Sequence, residues 1–235
     1  MLRFSDARNF GRTLTGLALI VGPAVMLVGA IIAPDTMDDN KLKELNKVAA
    51  HKSSFILSAL LFLLATLILL AASVGIIHLF RGRRVTLGQI AGSLLLVGTS
   101  VTVAFFTFAI VEYEMVNQSG LDRVQLAKFL DKANNSASGL PLFILFIVGI
   151  VLGLILLAIA AWRAKLIPIW AAVLILLGGL LAFAGQSKAG NIVDNALLLV
   201  GIGMLGRAVL SMSDEEWDAP REPQAGPAPT APVSA

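Results

Sequence analysis

The 235-residue chain contains no cysteine and only two histidines. The absence of cysteine excludes disulfide bonds, thiolate metal ligands and a cysteine nucleophile. His51 and His78 would stand roughly 40 Å apart on one helix, too far to ligate the same haem. The zinc-protease pattern His-Glu-x-x-His does not occur. The sequence therefore predicts neither a metal site nor a cofactor.

Charged residues are also scarce, at 14% of the chain, whereas 57% of the residues are hydrophobic. Ordinary globular domains are roughly 45–50% apolar. Here the apolar residues form continuous blocks instead of the single stripe of a soluble helix. The net charge of +3 comes from basic residues at the ends of these blocks, a pattern typical of membrane topology and not of nucleic-acid binding. We expect an integral membrane protein that binds no nucleic acid.

Six apolar blocks are long enough to cross a hydrocarbon core, which takes about 20 helical residues. Pairs of small residues four positions apart, as in Gly149-x-x-x-Gly153, indicate close helix packing within a tight bundle or between copies. The predicted fold is all-α, with six transmembrane helices and two short amphipathic helices in the outer loops. The six blocks are Thr13–Ala33, Phe55–Phe80, Leu87–Val111, Leu140–Trp162, Leu166–Gly185 and Ile192–Met212.

Two polar segments between the blocks carry apolar residues at helical spacing, which predicts the two amphipathic helices. They are Thr36–Lys52 and Ser119–Ala133. Short polar side chains that can cap a helix N-terminus stand at the start of each segment. The candidate caps are Asp38, Asp39 or Asn40 in the first segment and Ser119, in a capping box with Asp122, in the second.

The positions of the arginines predict the orientation. If the N-terminus is inside the cell, nine of the ten arginines face the cytoplasm, including those of the short turns 81–84 and 163–165. Both termini are then cytoplasmic, and the Ala-, Gly- and Val-rich composition indicates the inner membrane of a bacterium. Residues 1–12 form a cytoplasmic segment and 13–212 the transmembrane domain. Residues 213–235 form an acidic, proline-rich cytoplasmic tail predicted to be disordered, or alternatively a docking peptide.

The fourth and fifth spans carry a recognisable succession of motifs. A span ends in a short turn with an aromatic residue and an arginine, a proline opens the next span, and a glycine-containing apolar run follows. The residues are Phe129-Leu130-Asp131, Ala161-Trp162-Arg163-Ala164-Lys165-Leu166-Ile167-Pro168 and Leu176-Leu177-Gly178-Gly179-Leu180. In this succession Phe129–Gly185 resembles a family of multi-pass bacterial proteins catalogued as domain of unknown function 4386. The resemblance implies the six-helix plan and brings no activity, cofactor or site residue.

Ionisable residues within membrane spans are functional candidates by default, and the predicted spans hold few. Asp194 lies in the first turn of the sixth block, and Glu112 and Glu114 follow the third. These carboxylates would form an outer-facing cation or proton site if the third and sixth spans are neighbours. Alternatively, they are acids solvated at the interface or capping a helix. Hydroxyl residues within the spans either hydrate a pathway or make packing hydrogen bonds; they include Thr66, Ser73, Thr99, Ser100, Thr102 and Thr107.

Three classes of function remain open. The first is a non-enzymatic subunit or accessory protein of a membrane assembly, whose partners are membrane lipids and another protein or a second copy. The second is a transporter or binder of a small lipophilic molecule with a pocket beneath the outer helices, which requires a cavity of at least about 300 Å³. The third is a membrane enzyme that uses Glu112, Glu114 or Asp194, which requires that these carboxylates share a cleft.

Overall fold

The computed structural model describes residues 7–36, 38, 40–81, 86–118, 120–134, 140–184 and 187–218. All regular elements in these ranges are helices. The fourth predicted span consists of two helices joined without a break by one turn of π-helix, Val148–Leu152. The helices are α1 (Ala7–Ile32), α2 (Lys41–Ala50), α3 (Lys52–Arg81), α4 (Thr86–Asn117), α5 (Arg123–Asn134), α6 (Leu140–Ile147), α7 (Gly153–Arg163), α8 (Ile169–Ala184), α9 (Lys188–Ser211) and α10 (Asp214–Asp218).

Five helical segments in the described part of the chain are long and apolar enough to cross a bilayer. They are α1, α3, α4, α9 and the continuous segment Leu140–Arg163 that α6, the π turn and α7 form together. Helix α8 is equally apolar but only 16 residues long. The protein is thus an all-helical, multi-pass membrane protein.

The long helices pack in a closed ring. Helix α1 lies between α3 and α9, α3 packs against α4, and α4 packs against α6, the π turn and α7. Helix α8 completes the ring because it packs against α7 on one side and α9 on the other. In this order α4 and α9 stand on opposite sides of the ring, so the third and sixth predicted spans are not neighbours.

Glycines allow the closest approaches in the ring, since without a side chain two backbones can touch. A methyl group added at Gly149 of the π turn would lie 2.5 Å from the Cα atom of Gly98 in α4. One added at Gly206 of α9 would lie 2.7 Å from the carbonyl oxygen of Gly16 in α1. Gly153 likewise packs against Leu95. These small residues are therefore used for packing within the chain.

The two short helices α2 and α5 pack against each other at one end of the bundle, and we call this pair the cap. Its apolar core consists of Leu45 and Val48 from α2, Ala127 and Leu130 from α5, and Val116 near the end of α4. Helix α4 reaches the cap because it runs for 32 residues, six residues beyond the predicted end of the third block.

The beginnings of the cap helices follow from their capping residues. The side-chain oxygen of Asn40 accepts hydrogen bonds from the backbone N–H groups of Leu42 at 3.0 Å and Lys43 at 3.3 Å, so α2 begins at the next residue. Asp122 accepts a hydrogen bond from the N–H of Val124 at 2.9 Å, and α5 begins at Arg123. Ser119, the predicted capping residue of the second segment, lies outside the described residues.

The first residues of the predicted tail form the short helix α10, which packs against α1. Trp217 is 7% exposed, and its ring lies 5.0 Å from that of His78. The backbone N–H of Ser213 donates to Glu216 at 3.0 Å while that of Glu216 donates to the Ser213 hydroxyl at 3.1 Å, a reciprocal capping box. The remainder of the predicted tail, 219–235, lies outside the described residues.

Candidate functional site

A cavity of about 400 Å³ lies inside the ring. All six helical segments of the ring contribute to its wall, which is mostly apolar. Its volume falls within the roughly 300–1,000 Å³ range of small-molecule pockets. The wall includes Leu19 and Met26 from α1, Ala72 and Ile76 from α3, Leu95 from α4, Phe146 from α6, Ile150 from the π turn, Leu154 and Leu157 from α7, Ala182 from α8, and Leu198 and Ile202 from α9.

Four hydroxyl residues line the cavity, and each donates its hydrogen to a carbonyl of its own helix. In α3, Thr66 donates to Phe62 at 2.8 Å and Ser73 donates to Leu69 at 2.9 Å. In α4, the Thr99 hydroxyl donates to the carbonyl four residues earlier at 2.6 Å, and Thr102 makes the same bond at 2.8 Å. They therefore make the packing bonds expected of such residues in a membrane and also face the cavity, where their oxygens can only accept.

Asp194 is the charged residue on the cavity wall. Asp194 is 3% exposed. Its Oδ1 atom accepts hydrogen bonds from the backbone N–H of Asn195 at 2.6 Å and from the Asn195 side chain at 2.9 Å. In the described part of the chain, no hydrogen bond or ion pair reaches Oδ2. A buried carboxylate with one uncompensated oxygen beside a cavity is a strong candidate for ligand contact.

The helix that carries Asp194 begins earlier than the sequence predicted. The Ser187 hydroxyl accepts a hydrogen bond from the N–H of Gly190 at 3.1 Å and caps α9, which starts at Lys188. Asp194 therefore lies in the second turn and not in the predicted first turn, beyond the free N–H groups that a capping carboxylate would accept from.

Glu112 and Glu114 lie elsewhere. Glu112 is 7% exposed and forms an ion pair with Lys41 of α2 at 3.3 Å, which ties α4 to the cap. Lys41 also bonds to Glu44 at 2.9 Å. Burial by itself lowers the pKa of the Lys41 ammonium, but the hydrogen bond to Glu44 and the charge of Glu112 outweigh it, so the pKa lies above its ordinary value. Glu114 is exposed.

The structure does not bring the three predicted site residues together. Asp194 lines the ring cavity, whereas Glu112 and Glu114 do not. Their helices stand on opposite sides of the ring, and Glu112 is held by the cap. A shared cleft for these carboxylates, which the enzyme hypothesis requires, is therefore not present among the described residues.

A smaller cavity of about 160 Å³ lies towards the cap, and we call it the vestibule. Phe62, Phe106 and Asn191 line both the vestibule and the ring cavity. The two phenylalanine rings stack with their centroids 5.1 Å apart. This aromatic pair therefore stands between the two spaces. Lys188 and Asp35 give the vestibule its charged groups.

The ring is loosest between α6 and α8. Residues 140–145 of α6 are all exposed. Among the described residues, α8 packs along α7 and touches the π turn but does not pack along α6. Ala182 of α8 lines the cavity and is itself exposed. At this height the cavity wall faces the surroundings of the bundle, which in a membrane protein are lipid.

The family model described as domain of unknown function (DUF4386) matches residues 14–212. The chain belongs to this family. The match confirms the resemblance of Phe129–Gly185 and extends it over nearly the whole helical ring, cavity included. No curated protein and no solved structure matches this DUF4386 protein.

The described part of this DUF4386 protein contains no group of three or more histidine, aspartate or glutamate residues arranged to hold a metal. Asn191 and Asn195 line the cavity beside Asp194 but were not among the predicted site residues. A signal for their joint role was available, because positions i, i+3 and i+4 share one face of a helix. The aromatic pair Phe62 and Phe106 had no comparable signal, since its members come from different helices.

Proposed function

We propose that this protein binds a lipophilic small molecule in the ring cavity and catalyses no reaction on it. The observation that supports this proposal is the ring cavity. Its wall is mostly apolar, its volume of about 400 Å³ lies in the range of small-molecule pockets, and residues from all six helical segments of the ring line it.

We further propose that the ligand enters from the bilayer through the loose contact between α6 and α8. A lipophilic molecule dissolved in lipid reaches this place without crossing water. The exposed apolar residues 140–145 and the exposed wall residue Ala182 support this route. Passage through the vestibule would instead require the stacked rings of Phe62 and Phe106 to separate.

The membrane arrangement is part of the same proposal. Helix α8, the fifth predicted span, also crosses the membrane and brings the number of spans to six; its apolar sequence and its position in the ring between α7 and α9 support this. The cap lies on the outer side of a bacterial inner membrane, and both termini lie in the cytoplasm, as the arginines in the short turns favour. Reporter domains fused before Met1 and after Ala235 should both be cytoplasmic; reporters on opposite sides would overturn this arrangement.

The experiment that tests ligand binding fills the cavity. Thr102→Phe places a ring inside it, whereas Thr107→Phe is the matched control. Both threonines lie on α4 and both bond to the carbonyl four residues earlier, but Thr107 is exposed. Protein purified from its native membranes should carry a small lipophilic compound, detected by mass spectrometry after solvent extraction. We expect Thr102→Phe to lose it and Thr107→Phe to retain it; equal retention by both variants would refute the proposal.

A second candidate is a subunit of a membrane assembly, with another protein or a second copy as partner. A groove on the outside of the ring between α1 and α9 favours it, because a methyl group added at Gly203 would meet no atom within 4 Å. A partner helix seated there would be displaced by Gly203→Leu. Loss of a stoichiometric co-purifying chain in this variant would support the role, and a wild-type protein that purifies as a monomer would contradict it.

A further inference from the structure

The cavity wall presents a ligand with hydrogen-bond acceptors and hardly any donors. The four hydroxyls already donate to their own helices. Asn195 uses its amide nitrogen twice, towards the carbonyl oxygen of Asn191 at 2.7 Å and towards Asp194 at 2.9 Å. Among the described wall residues, only the side-chain amide of Asn191 is left to donate. A ligand group that carries hydrogens is therefore matched far better than one that carries lone pairs.

Asp194 adds the requirement for charge. It is the ionisable residue among those that line the cavity. Lys188, the nearest basic residue on α9, lines the vestibule instead, and no ion pair joins it to Asp194 in the part of the chain that the structure describes. A buried carboxylate in a membrane span is normally paired with a cation. A cation that pairs with Asp194 can therefore come from a ligand in the cavity.

We infer that the ligand is a cationic amphiphile of the long-chain amine class, whose ammonium group binds Oδ2 of Asp194 and whose chain lies along the apolar wall. The inference rests on the proposed function, because it names the ligand class for that cavity. An ammonium group supplies up to three donors, which suits a wall of acceptors, and its bond to a carboxylate is charge-assisted. A neutral amphiphile of the same length would fill the same space but leave the carboxylate unpaired.

The test compares dodecylamine with dodecanol, which differ only in the head group. Purified protein in detergent is titrated with each compound, and binding is measured as the rise in unfolding temperature, since a ligand of the native state stabilises it. Asp194→Asn removes the charge, Thr102→Phe fills the cavity, and Glu114→Gln is the matched control that removes a carboxylate outside the cavity. We expect the amine to bind wild-type protein more tightly than the alcohol. Asp194→Asn should weaken the amine about 30-fold or more, as for loss of a buried charge partner, without weakening the alcohol.

The outcomes separate the ligand class from the cavity. If both compounds bind equally to wild-type protein and both are lost in Thr102→Phe, the cavity binds amphiphiles but the amine class is wrong. If neither compound stabilises wild-type protein, the proposed function and the ligand class both fall. Glu114→Gln should behave as wild type; loss of amine binding in this variant would show that the effect of charge is not local to Asp194. The wild-type comparison needs no variant, so the inference stays testable if Asp194→Asn does not fold.

Discussion

The contact between Gly98 and Gly149 gives the sharpest prediction about the fold. An alanine methyl group at position 149 would lie 2.5 Å from the Gly98 Cα atom and 2.6 Å from its nitrogen, whereas ordinary contacts begin near 3.4 Å. The backbones of α4 and the π turn would have to separate by the difference, 3.4 minus 2.5, about 0.9 Å. Overpacking of this kind costs about 1–3 kcal/mol. The better helix propensity of alanine returns at most about 1 kcal/mol.

Gly203→Ala is the matched control, because a methyl group there meets nothing within 4 Å and only the propensity gain remains. We expect Gly149→Ala to be less stable than wild type and Gly203→Ala to be as stable or more stable, with about 2 kcal/mol between the variants. Unfolding by heat and by denaturing detergent, measured in the same mild detergent, gives the comparison. If Gly149→Ala is as stable as Gly203→Ala or more stable, α4 and the π turn do not touch at this place, and the packing of the ring described above is wrong.

Two further predictions concern the ends of the bundle. Lys41→Met should destabilise the protein by about 3 kcal/mol, because it leaves the buried Glu112 carboxylate without a cation. Glu112→Gln should cost only about 1 kcal/mol, because Lys41 keeps its ion pair with Glu44. Thermal unfolding of both variants checks this order of stability, and equal losses would contradict it. Trp217→Ala should undock α10 without unfolding the ring, since the buried indole holds this short helix to α1. Hydrogen exchange of residues 214–218 should then rise, and unchanged protection would show that the ion pairs of Asp214 with Arg12 and of Asp218 with His78 hold the helix without the indole.

The sequence predicted the membrane class well because apolar length is a local property. The apolar block Phe55–Phe80 corresponds to Lys52–Arg81, within a few residues at each end. The third block was predicted to end at Val111, where charged residues begin. Helix α4 continues to Asn117 because Glu112 has a partner in Lys41 and Val116 belongs to the apolar core of the cap. Such partners lie far away in the chain and cannot be read from the block itself.

The order of helices around the ring could not be predicted for the same reason. The proposal that Glu112, Glu114 and Asp194 meet depended on adjacent third and sixth spans, and a single sequence contains no signal for which helices adjoin. Two features could have been predicted from the sequence. The Ser213 to Glu216 capping box ahead of Trp217 indicates a short helix, and the polar face of Asn191, Asp194 and Asn195 follows from helical spacing.

The most direct test of an occupied intramembrane cavity is an experimental density map of the protein purified together with its native lipids. We expect an elongated density inside the ring, with one end within hydrogen-bonding distance of Oδ2 of Asp194 and the other along the apolar wall formed by α3 and α7. A ring whose interior is closed by its own Leu, Ile and Phe side chains, with no density that the protein does not explain, would contradict the proposal.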